Sequence, residues 1–279
     1  MDVEQYRQES LASWDRFAGN WDEEREFLWS KTRPVSDALI ESLDPQPGET
    51  ILELAAGTGQ TGFAVAERVG EHGRVISTDF APGMVEVARR RGEELGLENV
   101  EYRVLDAERM DLDDSSVDGV VCRFGYMLMA DPAAALAETR RVLREGGRAS
   151  FAVWATPDKN LWAFLPGLVL VELGHMDPPE PGAPGIFGMG DPNRIRELVT
   201  GAGFDEPSIE QLPVTWGYPD TAEHWEKTLK LAAPIAEVVN GLPGEEQDRV
   251  RTTVAERVEP LLGGDDAGIN GLTHVVLAR

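Results

Sequence analysis

The sequence predicts an α/β fold, a doubly wound, mainly parallel sheet of seven strands with helices on both faces. Three observations carry that reading. Short apolar runs alternate with helix-period patterns from residue 50 to residue 154, and each return to a strand needs a crossover that makes neighbouring strands parallel. The first run breaks into Gly57-Thr58-Gly59-Gln60-Thr61-Gly62, a glycine turn leading from strand to helix. An acid, Asp79, stands at the end of the second run, twenty-two residues after Gly57.

Taken in order, residues 1–45 read as an N-terminal helical lid. One helix runs through Tyr6, Leu11, Trp14 and Phe17, and another through Val35, Leu39, Ile40 and Leu43, with an aromatic segment of Trp21, Phe27 and Trp29 between them. Pro45, Pro47 and Gly48 close this zone. Residues 46–154 form the core, with strands at 50–55, 74–78, 100–104, 118–123 and 148–154 and helices at 60–69, 82–95 and 132–144. Residues 155–279 complete the sheet. They open with a Pro- and Gly-dense loop at 174–192, too long for a simple connector. A helix at 192–201 starts on Pro192 and ends on glycines. A strand at 207–216, helical patterns at 221–240 and 244–262, and an apolar strand at 271–278 follow. The helices over 220–262 read as a substrate cap inserted before the last strand.

Twenty-six Lys and Arg face fifty Asp and Glu, a net charge of −24. A surface field of that sign repels phosphates, which argues against nucleic-acid partners and anionic membranes. Only four of the basic residues are lysine: Lys31, Lys159, Lys227 and Lys230. Cys122 is the only cysteine, so neither an internal disulfide nor a Cys-based zinc cluster can form, and a reducing cytoplasm is the expected location. The opening residues, MDVEQYRQES, lack the basic and then apolar pattern of an export signal. The apolar stretch at 161–173 is interrupted by Pro166, Gly167 and Glu172, short of a membrane span. The expectation is a cytoplasmic monomer or homodimer acting on a small molecule, with no nucleic-acid partner and no membrane span.

The glycine turn lets a ligand approach the main chain, and Asp79 can accept hydrogen bonds from a ribose diol. Together they point to an adenosine-type ligand. A nicotinamide or flavin dinucleotide and S-adenosylmethionine both fit that fingerprint. Glu53, inside the first strand, suits a cationic amino-acid moiety better than a pyrophosphate; an outward-facing strand glutamate is the alternative. Asp106-Ala107-Glu108, after the third strand, can accept from an exocyclic amine, or can be a solvated loop. After Glu145-Gly146-Gly147 and the fifth strand the simple alternation stops, whereas a full dinucleotide domain would continue it.

These residues resemble the Rossmann-like class I S-adenosylmethionine-dependent methyltransferases, in the broad group that contains the quinone-biosynthesis enzymes. The resemblance rests on ILELAAGTG at 51–59, TDFAPGMVEVAR at 78–89, DAERMDLDDSSVDGVVCRF at 106–124 and DPAAALAETRRVLREGGR at 131–148, with an echo in LVTGAGF at 198–204. It implies that Glu53, Gly57 and Gly59 wrap the methionine end of S-adenosylmethionine, with Ala55 on the same turn. It implies that Asp79 holds the ribose, that Phe80 and Met84 lie against the adenine, and that Asp106 and the Ala107 amide read the adenine ring. Arg123 begins the loop lining the methionine side. The pair Ala55-Ala56 departs from the family pattern, in which a glycine and a cysteine or acid are common, but small residues still permit the turn.

Methyl transfer needs alignment and exclusion of water more than it needs a catalytic side chain. Should the acceptor have to lose a proton, Tyr126, His175 and His224 are the candidate bases; each has an ordinary packing role as its alternative. Trp21, Trp29, Tyr126, Trp154, Phe187 and Trp216 are the expected walls of a hydrophobic acceptor pocket. The acids Asp111, Asp113 and Asp114 read as a solvated turn, and no metal is assigned. The expected activity is methylation of a small hydrophobic or aromatic acceptor at O, N or C. A non-catalytic regulator that binds the same nucleoside and a nicotinamide-dependent oxidoreductase are the competing readings.

Overall fold

The computed structural model describes residues 3–180, 182–262 and 268–279. Two helices, α1 (Val3–Glu23) and α2 (Arg25–Leu43), precede the sheet. The alternating core follows as β1 (Thr50–Leu54), α3 (Gln60–Val69), β2 (Arg74–Asp79), α4 (Pro82–Glu94), β3 (Val100–Val104), β4 (Val117–Arg123), α5 (Pro132–Val142) and β5 (Leu143–Trp154). The last third adds α6 (Leu161–Glu172), α7 (Pro192–Gly201), β6 (Ser208–Trp216), α8 (Thr221–Leu231), α9 (Ala233–Gly241), α10 (Gly244–Leu262) and β7 (Ile269–Ala278).

The seven strands lie in the order β3-β2-β1-β4-β5-β7-β6. The first five are mutually parallel, while β7 runs antiparallel between β5 and β6. Strand order therefore reverses between β1 and β4, and the crevice beyond their carboxyl ends is where open α/β sheets take ligands. Ile51, Leu52, Val75, Val120, Val121, Phe151 and Val276 form the strand layer of the core, all essentially without exposed surface. Strands enclosed on both faces need continuous apolar runs, which is why these stretches were legible.

The helical N-terminus departs from expectation in one respect. Trp21 belongs to α1, and Phe27 and Trp29 to α2, so no aromatic linker separates the helices. The break is a single residue, Glu24. Trp14, Phe17, Ala18 and Trp21 recur at helical spacing and continue α1 to its end, and α2 tolerates Pro34 in its interior. The pattern over 221–240 divides into α8 and α9 at Ala232, just before Pro234. The stretch at 161–173 is a helix, α6, despite Pro166. Strand β5 starts at Leu143 rather than 148, so it contains Gly146 and Gly147, which were expected to precede it, and its pairing with β4 shifts register between Val117 and Gly119. The helices α8 to α10 do fall between β6 and β7.

Candidate cofactor and acceptor site

At the end of β1 the chain turns through two glycines with left-handed backbone, Gly57 (φ 55°) and Gly59 (φ 86°), the second capping α3. Asp79, at the end of neighbouring β2, ties this turn down. One carboxylate oxygen accepts the Gly57 amide at 2.9 Å, and the other accepts the Ala81 amide at 3.0 Å at the start of α4. Each oxygen keeps a lone pair for a further donor. Burial pushes the carboxyl up to about 6, against the pull of the Ala81 and Gly57 amides.

Glu53 lies beneath the turn. Its carboxylate accepts the Gly62 amide at 2.6 Å and the Ser77 hydroxyl at 2.6 Å. Gly62 is required by that approach, because a Cβ there would land on the Glu53 carboxylate. With 2% of its surface exposed, Glu53 holds the glycine turn from inside the sheet. Its pKa is raised to about 7 by burial, opposed by Ser77, Gly62 and the nearby Arg123 charge. Arg123, at the end of β4, donates to the Thr32 hydroxyl of α2 and lies 5.9 Å from the Trp29 ring. Burial draws its pKa down to about 10.

Ala55 (φ 51°) and Phe124 (φ 63°) follow β1 and β4 in the left-handed region, a costly conformation for residues with side chains. The two turns abut, since a Cβ on Gly125 would lie 2.6 Å from the Ala55 methyl. Strained residues of this kind gather at functional sites; here both flank the crevice between β1 and β4.

On the side facing α4, Phe80 and Met84 pack with Ala81, Ala18, Trp14 and Trp21. The Asp15 carboxylate of α1 accepts the Gly83 amide at 2.7 Å. Asp106 accepts the Glu108 amide at 2.9 Å, Ala107 is buried, and Glu108 is bound by Arg7 of α1. The Tyr6 hydroxyl donates to the Leu128 carbonyl at 3.0 Å. Helix α1 is thereby strapped across the turns that follow β2, β3 and β4.

A second group of side chains occupies the carboxyl ends of β4, β5 and β6. Phe124 stacks on Trp154 at 4.3 Å and Trp162 stacks on Trp216 at 4.0 Å, with Trp154 edge-on to Trp162 at 5.1 Å. Phe27 and Tyr218 extend the set past Trp216. Of the expected pocket walls, Trp154 and Trp216 meet here. Trp29 lies under Arg123, Trp21 belongs to the α1 and α4 cluster and donates to the Leu231 carbonyl, and Phe187 pairs edge-on with Phe164. Tyr126 is enclosed completely, with its hydroxyl 2.6 Å from that of Thr139 and its pKa well above 10 through burial. No surface of that ring is left for a ligand. The sequence reading did not include Phe27, Phe124, Trp162 or Tyr218 among the walls. Tyr218, two residues past Trp216, had a spacing signal; the left-handed turn that orients Phe124 had none.

The remaining candidate bases separate clearly. His175 Nε2 is 3.1 Å from the Glu246 carboxylate. His224, 1% exposed, bonds the Trp162 carbonyl through Nε2 at 2.9 Å, which puts the ring proton on that nitrogen and leaves Nδ1 without a partner. Burial lowers its pKa. Among the described residues, no group of three or more His, Cys, Asp or Glu side chains could hold a metal, and no helix is long and apolar enough to cross a membrane.

Comparison with known proteins agrees with this geometry. Residues 51–147 match the model of a methyltransferase domain. The chain is 36% identical over 118 residues to an aklanonic acid methyltransferase of Streptomyces sp. strain C5, an alignment covering 42% of this chain and only about half, 54%, of that protein. It is 34% identical over 189 residues to the demethylmenaquinone methyltransferase of Clavibacter sepedonicus, covering 64% of this chain and 74% of the relative. The fold is shared with the YcgJ protein of Bacillus subtilis, with a TM-score of 0.57 at 17% identity over 87% of this chain and 96% of the other. The glycine turn, the aspartate that ties it down, the crevice between β1 and β4 and these alignments agree: the chain belongs to the S-adenosylmethionine-dependent methyltransferases.

Proposed function

We propose that the chain transfers a methyl group from S-adenosylmethionine to a small hydrophobic or aromatic acceptor lying against the rings at the ends of β4, β5 and β6. The observation that carries this is Asp79, fixed by the Gly57 and Ala81 amides at the mouth of the crevice with lone pairs to spare. The left-handed turns at Ala55 and Phe124 support it, since they bring the glycine turn and the first aromatic ring to the same edge.

The residues present fit that cofactor. A Cβ on Gly57 would meet nothing within 4 Å, so the turn is open toward the crevice, and Asp79 suits a ribose diol. Phe80 and Met84 offer an apolar face to the adenine, with Asp106 and the Ala107 amide at its edge. Arg123 and the Glu53 charge lie on the methionine side, the first suited to a carboxylate and the second to an ammonium through space. When bound, the sulfonium supplies an activated methyl group and leaves as a neutral thioether. The protein's share is alignment, which contributes on the order of 7–11 kcal/mol in well-oriented systems, together with the exclusion of water by Phe124, Trp154, Trp162 and Trp216.

Where the acceptor must lose a proton, His224 is the favoured base of the three candidates. Its Nδ1 is unpartnered, and its ring stands 5.0 Å from that of Tyr218, within the aromatic set. The relatives' names, which concern aklanonic acid and demethylmenaquinone, support an acceptor of this apolar kind.

Calorimetric titration tests the reading. S-adenosylmethionine and S-adenosylhomocysteine are expected to bind and NADH not to. Asp79→Ala is expected to weaken both nucleosides roughly 10- to 100-fold, the size of a lost charge-assisted hydrogen bond. Undiminished affinity in that variant, or preference for NADH, would overturn the proposal.

A further inference from the structure

Strand β3 is one open edge of the sheet and β6 is the other. The β6 edge carries Pro213, which has no N–H to offer an incoming strand. Strand β3 reads Val100-Glu101-Tyr102-Arg103-Val104, without proline or glycine, and its outer main-chain groups are a template for one more strand. Which groups face outward follows from the hydrogen bonds to β2. The Asn99 carbonyl accepts the Val75 amide and the Leu105 amide donates to the Asp79 carbonyl, so the odd-numbered residues turn toward β2. Val100, Tyr102 and Val104 therefore aim both N–H and C=O away from the sheet. Val104 is 57% exposed, and with Leu95, which follows α4, it supplies two of the four exposed large apolar side chains among the described residues.

We infer that β3 is the contact of a homodimer, in which the edge strands of two copies pair antiparallel about a two-fold axis through Tyr102. Such an isologous contact must be self-complementary, and β3 meets that condition in one register. With Tyr102 opposite itself, Val100 of one copy faces Val104 of the other, and the facing residues exchange main-chain hydrogen bonds in pairs. Glu101 of one copy then faces Arg103 of the other in the closer kind of pair, with Cα atoms about 4.5 Å apart. An axis through Glu101 would set glutamate against glutamate, and one through Arg103 would set arginine against arginine. Charge thus selects the register that also uses the whole strand. The surroundings carry both signs on each face: Glu101 pairs with Arg103 of its own strand and stands 3.6 Å from Arg74 of β2, while Glu93 and Arg89 of α4 act on the Tyr102 hydroxyl. Glu98 and Asp106 lie outside the paired stretch, in the bend and the turn at its two ends. Two copies of net charge −24 repel at long range, but at 0.15 M salt that repulsion is screened beyond about 8 Å, and a contact pair is screened far less. The inference is independent of the methyl-transfer reading.

Sedimentation equilibrium of the full chain in 0.15 M sodium chloride tests it. Five paired residues make a small interface, so a weak dimer is expected, half-dissociated at about 10–100 μM. Arg103→Glu and Glu101→Arg each place like charges at both facing positions, and each variant should stay monomeric at about 500 μM. An equimolar mixture of the two should form a mixed dimer at least as tightly as the parent does, because every facing pair is then opposite in sign. Circular dichroism verifies that both variants fold. Hydrogen exchange of the parent needs no variant: the peptide covering 100–104 should exchange at least threefold more slowly at about 500 μM than at about 1 μM. A parent that is monomeric at 500 μM, a dimer that survives both single substitutions, a mixture that fails to restore it, or exchange at 100–104 that ignores concentration would each overturn the inference.

Discussion

Asp79 and Glu53 meet opposing demands: burial favours their neutral forms, while the work proposed for them needs negative charge. Both titrate high, near 6 and near 7, with desolvation the larger cause in each. In the unfolded chain such groups titrate near 4, so between about pH 4 and 7 the folded protein holds more protons than the unfolded one. Their contribution to stability is therefore fully present below about pH 4 and is lost as pH rises through 6 to 7. A cationic ligand reverses the balance by favouring ionisation. Affinity for S-adenosylmethionine should accordingly rise roughly threefold to tenfold from pH 5.5 to 7.5, and should rise more than the affinity for zwitterionic S-adenosylhomocysteine, which lacks the sulfonium charge. Titrations in buffers of differing ionisation enthalpy should detect proton release near pH 6.5, and a flat pH profile would count against the ionised roles. Ala55 offers a conformational test. Ala55→Val places a β-branched residue in a left-handed turn already touching Gly125, with an expected loss of about 2 kcal/mol or more by denaturant unfolding. Ala55→Gly should change stability by less than about 1 kcal/mol, because relief of strain is offset by the freedom glycine gains when unfolded.

Helix α1 covers the proposed adenine side through an apolar seam of Trp14, Ala18 and Trp21 on Ala81 and Met84 and through polar straps: Arg7 on Glu108, Asp15 on the Gly83 amide and Asp22 on Arg90. Glu108 is nearly enclosed, so Arg7→Ala would strand a buried carboxylate, a loss of about 1–3 kcal/mol. Limited proteolysis should cut α1 of that variant faster than in the parent, with S-adenosylhomocysteine slowing the cut; an unchanged rate would show that the strap does not hold the helix. These straps also mark the limit of what the sequence disclosed. The glycine turn, Asp79 and the five parallel strands were legible because each is a local pattern: a period, a punctuation or an acid at a strand end. The helix α7 matched its sequence range at both ends for the same reason, with Pro192 and Gly201 as signals. Strand β5 begins earlier than expected because Gly146 and Gly147 interrupt its apolar run, and only pairing with β4 carries the strand back to Leu143. The Trp21, Phe27 and Trp29 segment was misread because aromatic residues in a helix were weighed as a patch rather than as two helical faces. Glu53 gave no local sign of its hydrogen bonds to Gly62 and Ser77, nine and twenty-four residues away.

Across the whole molecule, a net charge of −24 repels itself in the compact state more than in the expanded one. Raising sodium chloride from 0.05 to 0.5 M screens that repulsion and should raise the melting temperature by several degrees. A melting temperature that falls with salt would mean that the arginine ion pairs outweigh the net repulsion. The single joint at Glu24 adds a further constraint. Its carboxylate is buried, and although burial alone would raise its pKa, the hydrogen bonds from Lys227 and Lys230 hold it below the usual range. Glu24 is thus one of the ties between the N-terminal helices and the cap, beside the Arg16 pair with Glu237 and the Trp21 indole on the Leu231 carbonyl. A chain trimmed to begin at Arg25 would not simply lack a cover. It would leave Lys227 without its carboxylate beside the Phe27 ring, while Lys230 kept Glu226, so the first two dozen residues hold a charge of the cap in place as well as covering the turns after β2, β3 and β4.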